Sequence, residues 1–243
     1  MKSINNVHIK ELLKTKEGTN GSFENADLEH ANLKNANLTN ANLKGANLKD
    51  ADLSGANLTG ADLRDIDAAG IDLSGANITE TDLEHADLTN AEISNTSITK
   101  SNLKEAIMRG AEMVNTRFAG CEMSNADFSY SNLHGANMKK ANMANLSFLR
   151  VNLSFADLSE SNLTSANLKD ANLSFAKLKN ARLVDANLKG GELVSTNLAS
   201  ANLKNVNLAG ANLKEADFTR SNLKGADLKG SICKGTVFTD SIK

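Results

Sequence analysis

The sequence predicts an all-β solenoid, a chain wound into stacked coils of very short strands. Three observations predict it. From Gly21 to Asp240, 220 residues, a five-residue unit repeats 44 times without insertion or deletion. Its third position is apolar in every copy, Leu in 28 of them, and its first position is Ala, Ser, Thr, Gly or Cys in 39. About half of ordinary protein is apolar, so one unbroken frame of this kind is not chance. The chain also contains no Pro, which suits strands that donate hydrogen bonds in both directions along a stack.

The period excludes a helix. Five residues make about 1.4 turns, so positions one and three would wander around every side and leave no apolar stripe. In extended chain these two positions point the same way and position two points opposite. Each unit therefore reads as a short strand with its small and its large apolar residue inside and its Asn or Asp outside. Two corner residues then turn the chain. One unit buries too little to stand alone, whereas stacked coils bury a continuous column. The small first residue leaves room at the inside corner of a narrow coil.

The units, written ADLEH, ANLKN, ANLTN, ANLKG from Ala26 onward, resemble the A(D/N)LXX repeats of the pentapeptide-repeat family. That resemblance implies a right-handed quadrilateral parallel β-helix with four pentads per coil. Eleven coils follow, and at about 4.8 Å per coil the rod is roughly 53 Å long. The domain plan is a capping segment over residues 1–20 and a β-helix over residues 21–243.

In chain order, Val7, Ile9, Leu12 and Leu13 form the apolar face of a short helix expected from Asn6 to Lys16 and ended by Gly18. It resembles the helical lead-in, ending in LLxTKx, of many bacterial pentapeptide repeats. A cap covers strand edges and core that the first coil would otherwise expose. Coils one and two follow the consensus closely. In coil three Ala68 is the only Ala at a third position, beside Ile66 and Ile71 at first positions. Volume exchange accounts for this, large neighbours filling the space of a small centre. Coils five to seven carry Met and Phe centres, and Phe128 and Phe148, 20 residues apart, should stack inside. Cys121 and Cys233 sit at inward positions about 24 Å apart by the coil spacing. That is beyond disulfide reach, so both read as buried thiols of a reduced compartment.

Chemistry is absent from the pattern. His30, His85 and His134 fall on three faces and in separate coils, too far apart to share a metal or to pair with a nucleophile. The acids form a regular array on flat walls without a water-excluding pocket. No catalytic residue, cofactor or metal is expected. With a net charge of −2, no global field points to nucleic acid or membrane, and no apolar run suggests a signal peptide or a membrane span. A bacterial cytoplasmic location is expected, with secretion as an effector module the alternative.

Three surfaces stand out. Acids crowd the N-terminal half, among them Asp62, Asp65, Asp67, Asp72, Asp82, Glu84 and Asp87, while the C-terminal half is mildly basic. Plain solvation and an acidic binding surface both explain this. Large apolar residues hold outward positions at Val114, Tyr130, Leu149, Phe155, Phe175 and Val194. Phe155 and Phe175 should stack, and the set is either a partner surface or corner packing. Ile232 and Val237 replace the outward Asn or Asp near the C-terminus, and Ile242 follows. These make a candidate dimer end for a tail-to-tail homodimer, or Ile242 folds over as a plug. The leading expectation is a non-enzymatic interaction rod that binds another protein. The alternative implied by the family is a DNA mimic that binds DNA gyrase or topoisomerase and protects it from quinolones or toxins. Against it stand the near-neutral charge and the uninterrupted coils.

Overall fold

The computed structural model describes residues 2–242, with side chains from Val7 onward; Met1 and Lys243, which the two predicted segments include, lie outside it. One helix, α1 (Lys2–Thr15), precedes the repeat. Every later strand is so short that it consists of a single bridge. Parallel bridges join residues 20 apart, in unbroken series from Glu17↔Asn37 to Asn222↔Ile242. Four pentads therefore close one turn of the coil, which is the quadrilateral architecture.

The hydrogen bonds show why five residues suffice. The N–H of Leu33 donates to the carbonyl of Asp52 in the next coil (2.7 Å), and the N–H of Asp52 donates back to Ala31 (2.9 Å). Within the corner, the N–H of Ala36 donates to the carbonyl of Leu33 (2.9 Å). That bond closes a four-residue turn whose third residue, Asn35, has φ of 57°. The fifth position of each unit must therefore adopt the left-handed region, which is why Gly, Asn and Asp recur there. The second-position side chain secures the same corner: Asp52 Oδ1 accepts from both the N–H (2.9 Å) and the hydroxyl (2.6 Å) of Ser54.

Third-position side chains fill the interior, and nearly all are fully buried. Where a first position holds Ser or Thr, its hydroxyl commonly satisfies a buried carbonyl, as Thr96 does toward Leu73 at 2.7 Å; the Ser221 hydroxyl is the exception, buried without a partner. Cys121 does the same toward Ile98, and burial pushes its thiol up to about 12. Cys233, expected to be buried, is exposed, because no described coil stacks on its own. Ile66, Ala68 and Ile71 are all buried, and beside them Asp67 Oδ1 is buried without a hydrogen-bond partner. Phe128 and Phe148 meet inside at 5.5 Å, but tilted by 49°, and Phe118 joins them edge-on at 5.9 Å.

The N-terminal end differs from the expected boundaries. Helix α1 begins at Lys2 and stops at Thr15, and Lys16, with φ of 63°, makes the left-handed step that Gly18 was expected to make. The first bridge residue is Glu17, so Lys16–Asn20 already forms a pentad. Gly18 is its centre, and a Cβ there would lie 2.8 Å from Leu38 and 3.0 Å from both Leu12 and Phe23. Leu12, 1% exposed, reaches down from the helix into the space that Gly18 leaves. Of the expected apolar face only Leu12 and Ile9 contact the core; Val7 and Leu13 are exposed.

Candidate functional site

Faces are counted from the pentad that starts at Gly21. The second-position residues of the third face are Asn32, Asp52, Asp72, Glu92, Glu112, Asn132, Asn152, Asn172, Glu192, Asn212 and Ile232, each bridged to the next. This column is the floor of a flat wall. In each coil the two residues before the strand form one edge of the wall, and the two after it form the other. Tyr130 and Leu149 therefore stand on the entering edge, and Val114, His134, Phe155, Phe175 and Val194 on the leaving edge. All six predicted apolar residues border one face.

Their local geometry differs. Phe155 and Phe175 stack with centroids 4.9 Å apart and planes 14° from parallel. The His134 ring meets Phe155 at 5.3 Å and 61°, and its Nδ1 is 2.8 Å from the Ser154 hydroxyl. Across the face, the guanidinium of Arg109 lies 4.8 Å over the Tyr130 ring. The backbone N–H of Tyr130 donates to the carbonyl of Leu149 (2.8 Å). Tyr130, Phe155 and Phe175 remain 45%, 55% and 49% exposed, while Val114, Leu149 and Val194 are half-buried. Each of the three aromatics occupies a fifth position, with φ of 63°, 61° and 62°. Bulky side chains rarely adopt that region, which costs roughly 1–2 kcal/mol per residue. Little burial offsets it here.

Between the edges runs an amide ladder. Asn152 donates to Asn132 (2.9 Å), Asn172 to Asn152 (3.4 Å), and Asn132 to a carboxylate oxygen of Glu112 (2.9 Å). Sequence reasoning weighed His134 only for metal or nucleophile chemistry and passed over Arg109 and Ile107. Ile107 is an exposed second-position residue on the second face, where Asp and Asn are the rule. Asking for apolar residues at second positions would have found it.

The predicted acidic set is not one surface. Asp62 and Asp82 belong to the first face, Asp67 and Asp87 to the second, and Asp72 to the third, with Asp65 and Glu84 at a corner. Several are neutralised. Arg64 pairs with Asp62 and, at 3.6 Å, with Asp82, Lys49 with Asp67 at 2.8 Å, and Lys44 with Asp65 at 3.7 Å. His85 stands between Asp65 (3.3 Å) and Glu105 (3.4 Å). At the other end Ile232, Val237 and Ile242 are exposed. Among the described residues their strands bridge only to the preceding coil. Leu223, Ala226, Leu228, Cys233 and Phe238 line a cavity of about 400 Å³ there. Among the described residues no His, Cys, Asp or Glu side chains are grouped to hold a metal, and no helix is long and apolar enough to cross a membrane.

A chain coiled on 20-residue bridges with small and Leu residues inward is a quadrilateral β-helix, and one family is defined by that repeat. The chain belongs to it: the model described as pentapeptide repeats matches in eight overlapping copies, from residues 22–60 to 196–235 without a gap. Among solved structures it is similar to HetL, a pentapeptide repeat protein involved in heterocyst differentiation regulation in the cyanobacterium Nostoc sp. strain PCC 7120. The identity is 29% over 84% of this chain and 89% of that one, with a TM-score of 0.46. It is also similar to a pentapeptide repeat protein of the Arabidopsis thaliana thylakoid lumen, at 33% identity over 41% of this chain and 70% of that one, TM-score 0.40. QnrB1, a plasmid-mediated fluoroquinolone resistance protein, matches at 17% identity over 88% of this chain and 89% of that one, TM-score 0.42. No curated protein matches.

Proposed function

We propose that the protein is a non-enzymatic rod of about eleven coils that binds another protein through the third face and its two edges. One observation carries this reading. Tyr130, Phe155 and Phe175 hold corner positions whose positive φ favours Gly or Asn, and they stay about half exposed. Such residues cost backbone strain and contribute little burial, and sites that break local rules without a structural return are where function concentrates. A stacked aromatic pair beside further apolar residues is also the composition of an interface centre.

The test is affinity capture from native lysate with wild type and with Phe155→Asn/Phe175→Asn. A protein retained by wild type and lost by the fully folded variant is the expected result. Identical retention by both would remove the third face from the function. The DNA-mimic reading has no comparable support, since the candidate acids spread over three faces and several are ion-paired. For the C-terminal edge the corresponding proposal is pairing with a second copy, because Ile232, Val237 and Ile242 expose apolar side chains on strands that, among the described residues, are paired on one side only. Sedimentation should show self-association that Ile232→Asp/Val237→Asp abolishes; a wild type monomeric at tens of micromolar, the range of a weak contact, rejects it.

A further inference from the structure

The leaving edge of the third face has a property that no other edge shares. Across eight successive turns, residues 54–55 to 194–195 in steps of 20, it carries no Asp, Glu, Lys or Arg. Over the eight turns starting at 44–45, 49–50 and 59–60, the other edges carry seven, seven and six. The neutral edge is straight, since each fifth-position N–H along it donates to the next coil's fourth-position carbonyl, for example Gly75 to Ser94 at 3.1 Å and Phe175 to Val194 at 2.9 Å.

Beside it, the floor changes character once. Asp52, Asp72, Glu92 and Glu112 follow one another by direct bridges, and the amide ladder continues from Asn132. None of these four acids has an ion-pair partner among the described residues, in contrast to Asp62, Asp65 and Asp67 on the neighbouring walls. Around Asp72 and Glu92 both edges are small and neutral: Ala69, Gly70 and Ser74, then Thr89, Asn90 and Ser94. Asp52 and Asp72 secure their corners by accepting from the N–H groups of Ser54 and Ser74, but Asn132 and Asn152 do the same without a charge. Like charges stacked at about 4.8 Å destabilise a sheet, so the charge on this column is a second local conflict. The same strip is thus unpaired anion at one end and exposed aromatic at the other.

We infer that this strip docks an amphipathic α-helix of another protein, basic where it lies over Asp52–Glu112 and apolar where it lies between Tyr130 and Phe175. The inference rests on the interaction-rod reading and supplies its partner chemistry. A helix fits better than a strand for two reasons. The second-position N–H and carbonyl groups of the face are already used between coils, so an added strand would find no partners, whereas a helix satisfies its own backbone. Same-face residues of a helix also recur about every 5.4 Å, near the coil step of about 4.8 Å. From Asp52 to Glu192 the strip spans seven steps, about 34 Å, which a helix of about 22 residues covers.

The probe is a synthetic helical peptide of about 22 residues, with Lys on the polar face of its first half and a Leu/Phe stripe along its second. A control peptide carries Glu in place of Lys. Fluorescence anisotropy with the full chain should show binding of the Lys peptide that weakens with salt. Affinity should fall about tenfold or more in Asp72→Asn/Glu92→Gln and also in Phe155→Asn/Phe175→Asn, with circular dichroism confirming that both variants are folded. No binding by wild type, equal binding of the Glu peptide, or an unchanged affinity in either variant overturns the inference. The two readings separate in the capture experiment. A protein lost with Phe155→Asn/Phe175→Asn but kept by Asp72→Asn/Glu92→Gln leaves the rod standing and removes the basic helix.

Discussion

Phe128 and Phe148 meet inside the rod at 5.5 Å, and Phe155 and Phe175 meet outside it at 4.9 Å. Both pairs are 20 residues apart, so the coil aligns them equally, yet their energetics are opposite. The inner rings are fully buried at third positions, where the backbone is extended and the volume must be filled. They are tilted by 49°, with Phe118 packed edge-on against Phe128 at 5.9 Å in the same close-packed interior. The outer rings lie within 14° of parallel, free of such neighbours on one side, on a backbone that would accept Asn more readily. Inside, then, residue choice answers to volume; outside, it answers to corner geometry, and departures from that rule mark selection for something other than the fold.

The largest effect should come from the inner pair. Phe128→Ala leaves a cavity that a stacked column cannot easily collapse, and it should cost about 3–5 kcal/mol in chemical denaturation. A loss below about 1 kcal/mol would break the comparison, because volume would then not rule the interior.

The interior rule can be carried to the N-terminal end, where a helix residue completes the column. Leu12 fills the space above Gly18, so Leu12→Ala should cost about 2–4 kcal/mol. The loss should be concentrated in the first coils, because solenoid units contact only their neighbours. Hydrogen exchange should accelerate near Phe23 and Leu28 and remain unchanged beyond Leu103. Uniform acceleration would mean that the rod unfolds as one unit.

How much of this could be read from the sequence follows the same division. Each pentad position has one geometric task, so a period of five disclosed the register, the buried set and the stacking of residues 20 apart. The pentad Lys16–Asn20 escaped because its centre is Gly18, small only because Leu12 arrives from the helix. Cys233 shares an inward position with its counterparts, but an inward position buries a side chain only when a coil lies above it. Along the chain, Asp62 and Asp72 belong to one acidic stretch. Read down the faces, Asp62 pairs with Arg64 on one wall while Asp72 stands unpaired between Asp52 and Glu92 on another. His134 could be placed beside Phe155 only once corner geometry was known.

The outer pair sharpens the contrast. Phe155→Asn/Phe175→Asn removes two bulky side chains from left-handed positions, and it should raise stability by up to about 1 kcal/mol per site or leave it unchanged. Thermal denaturation measures it. A loss above about 1 kcal/mol per site would show that the exposed stack supports the fold, and the partner-surface reading would lose its main support.

The smallest effect concerns the second-position carboxylates that hold the corners. The Arg64 guanidinium holds the Asp62 carboxyl below the ordinary carboxylate range, and the Ser54 hydroxyl, followed by its N–H, does the same for Asp52. A carboxylate depressed in the folded state contributes stability above its unfolded pKa, near 4, and loses it as pH falls through the folded value. Both groups are well solvated, so each contribution should lie near the 0.2–1 kcal/mol typical of exposed pairs, roughly. Wild type should therefore melt earlier at about pH 2.5 than at about pH 4, and Asp62→Asn should show a smaller drop over that interval. An equal drop would mean that the corner bond from Arg64 contributes nothing to the fold, and that outside the rod only backbone geometry decides which residues the corners tolerate.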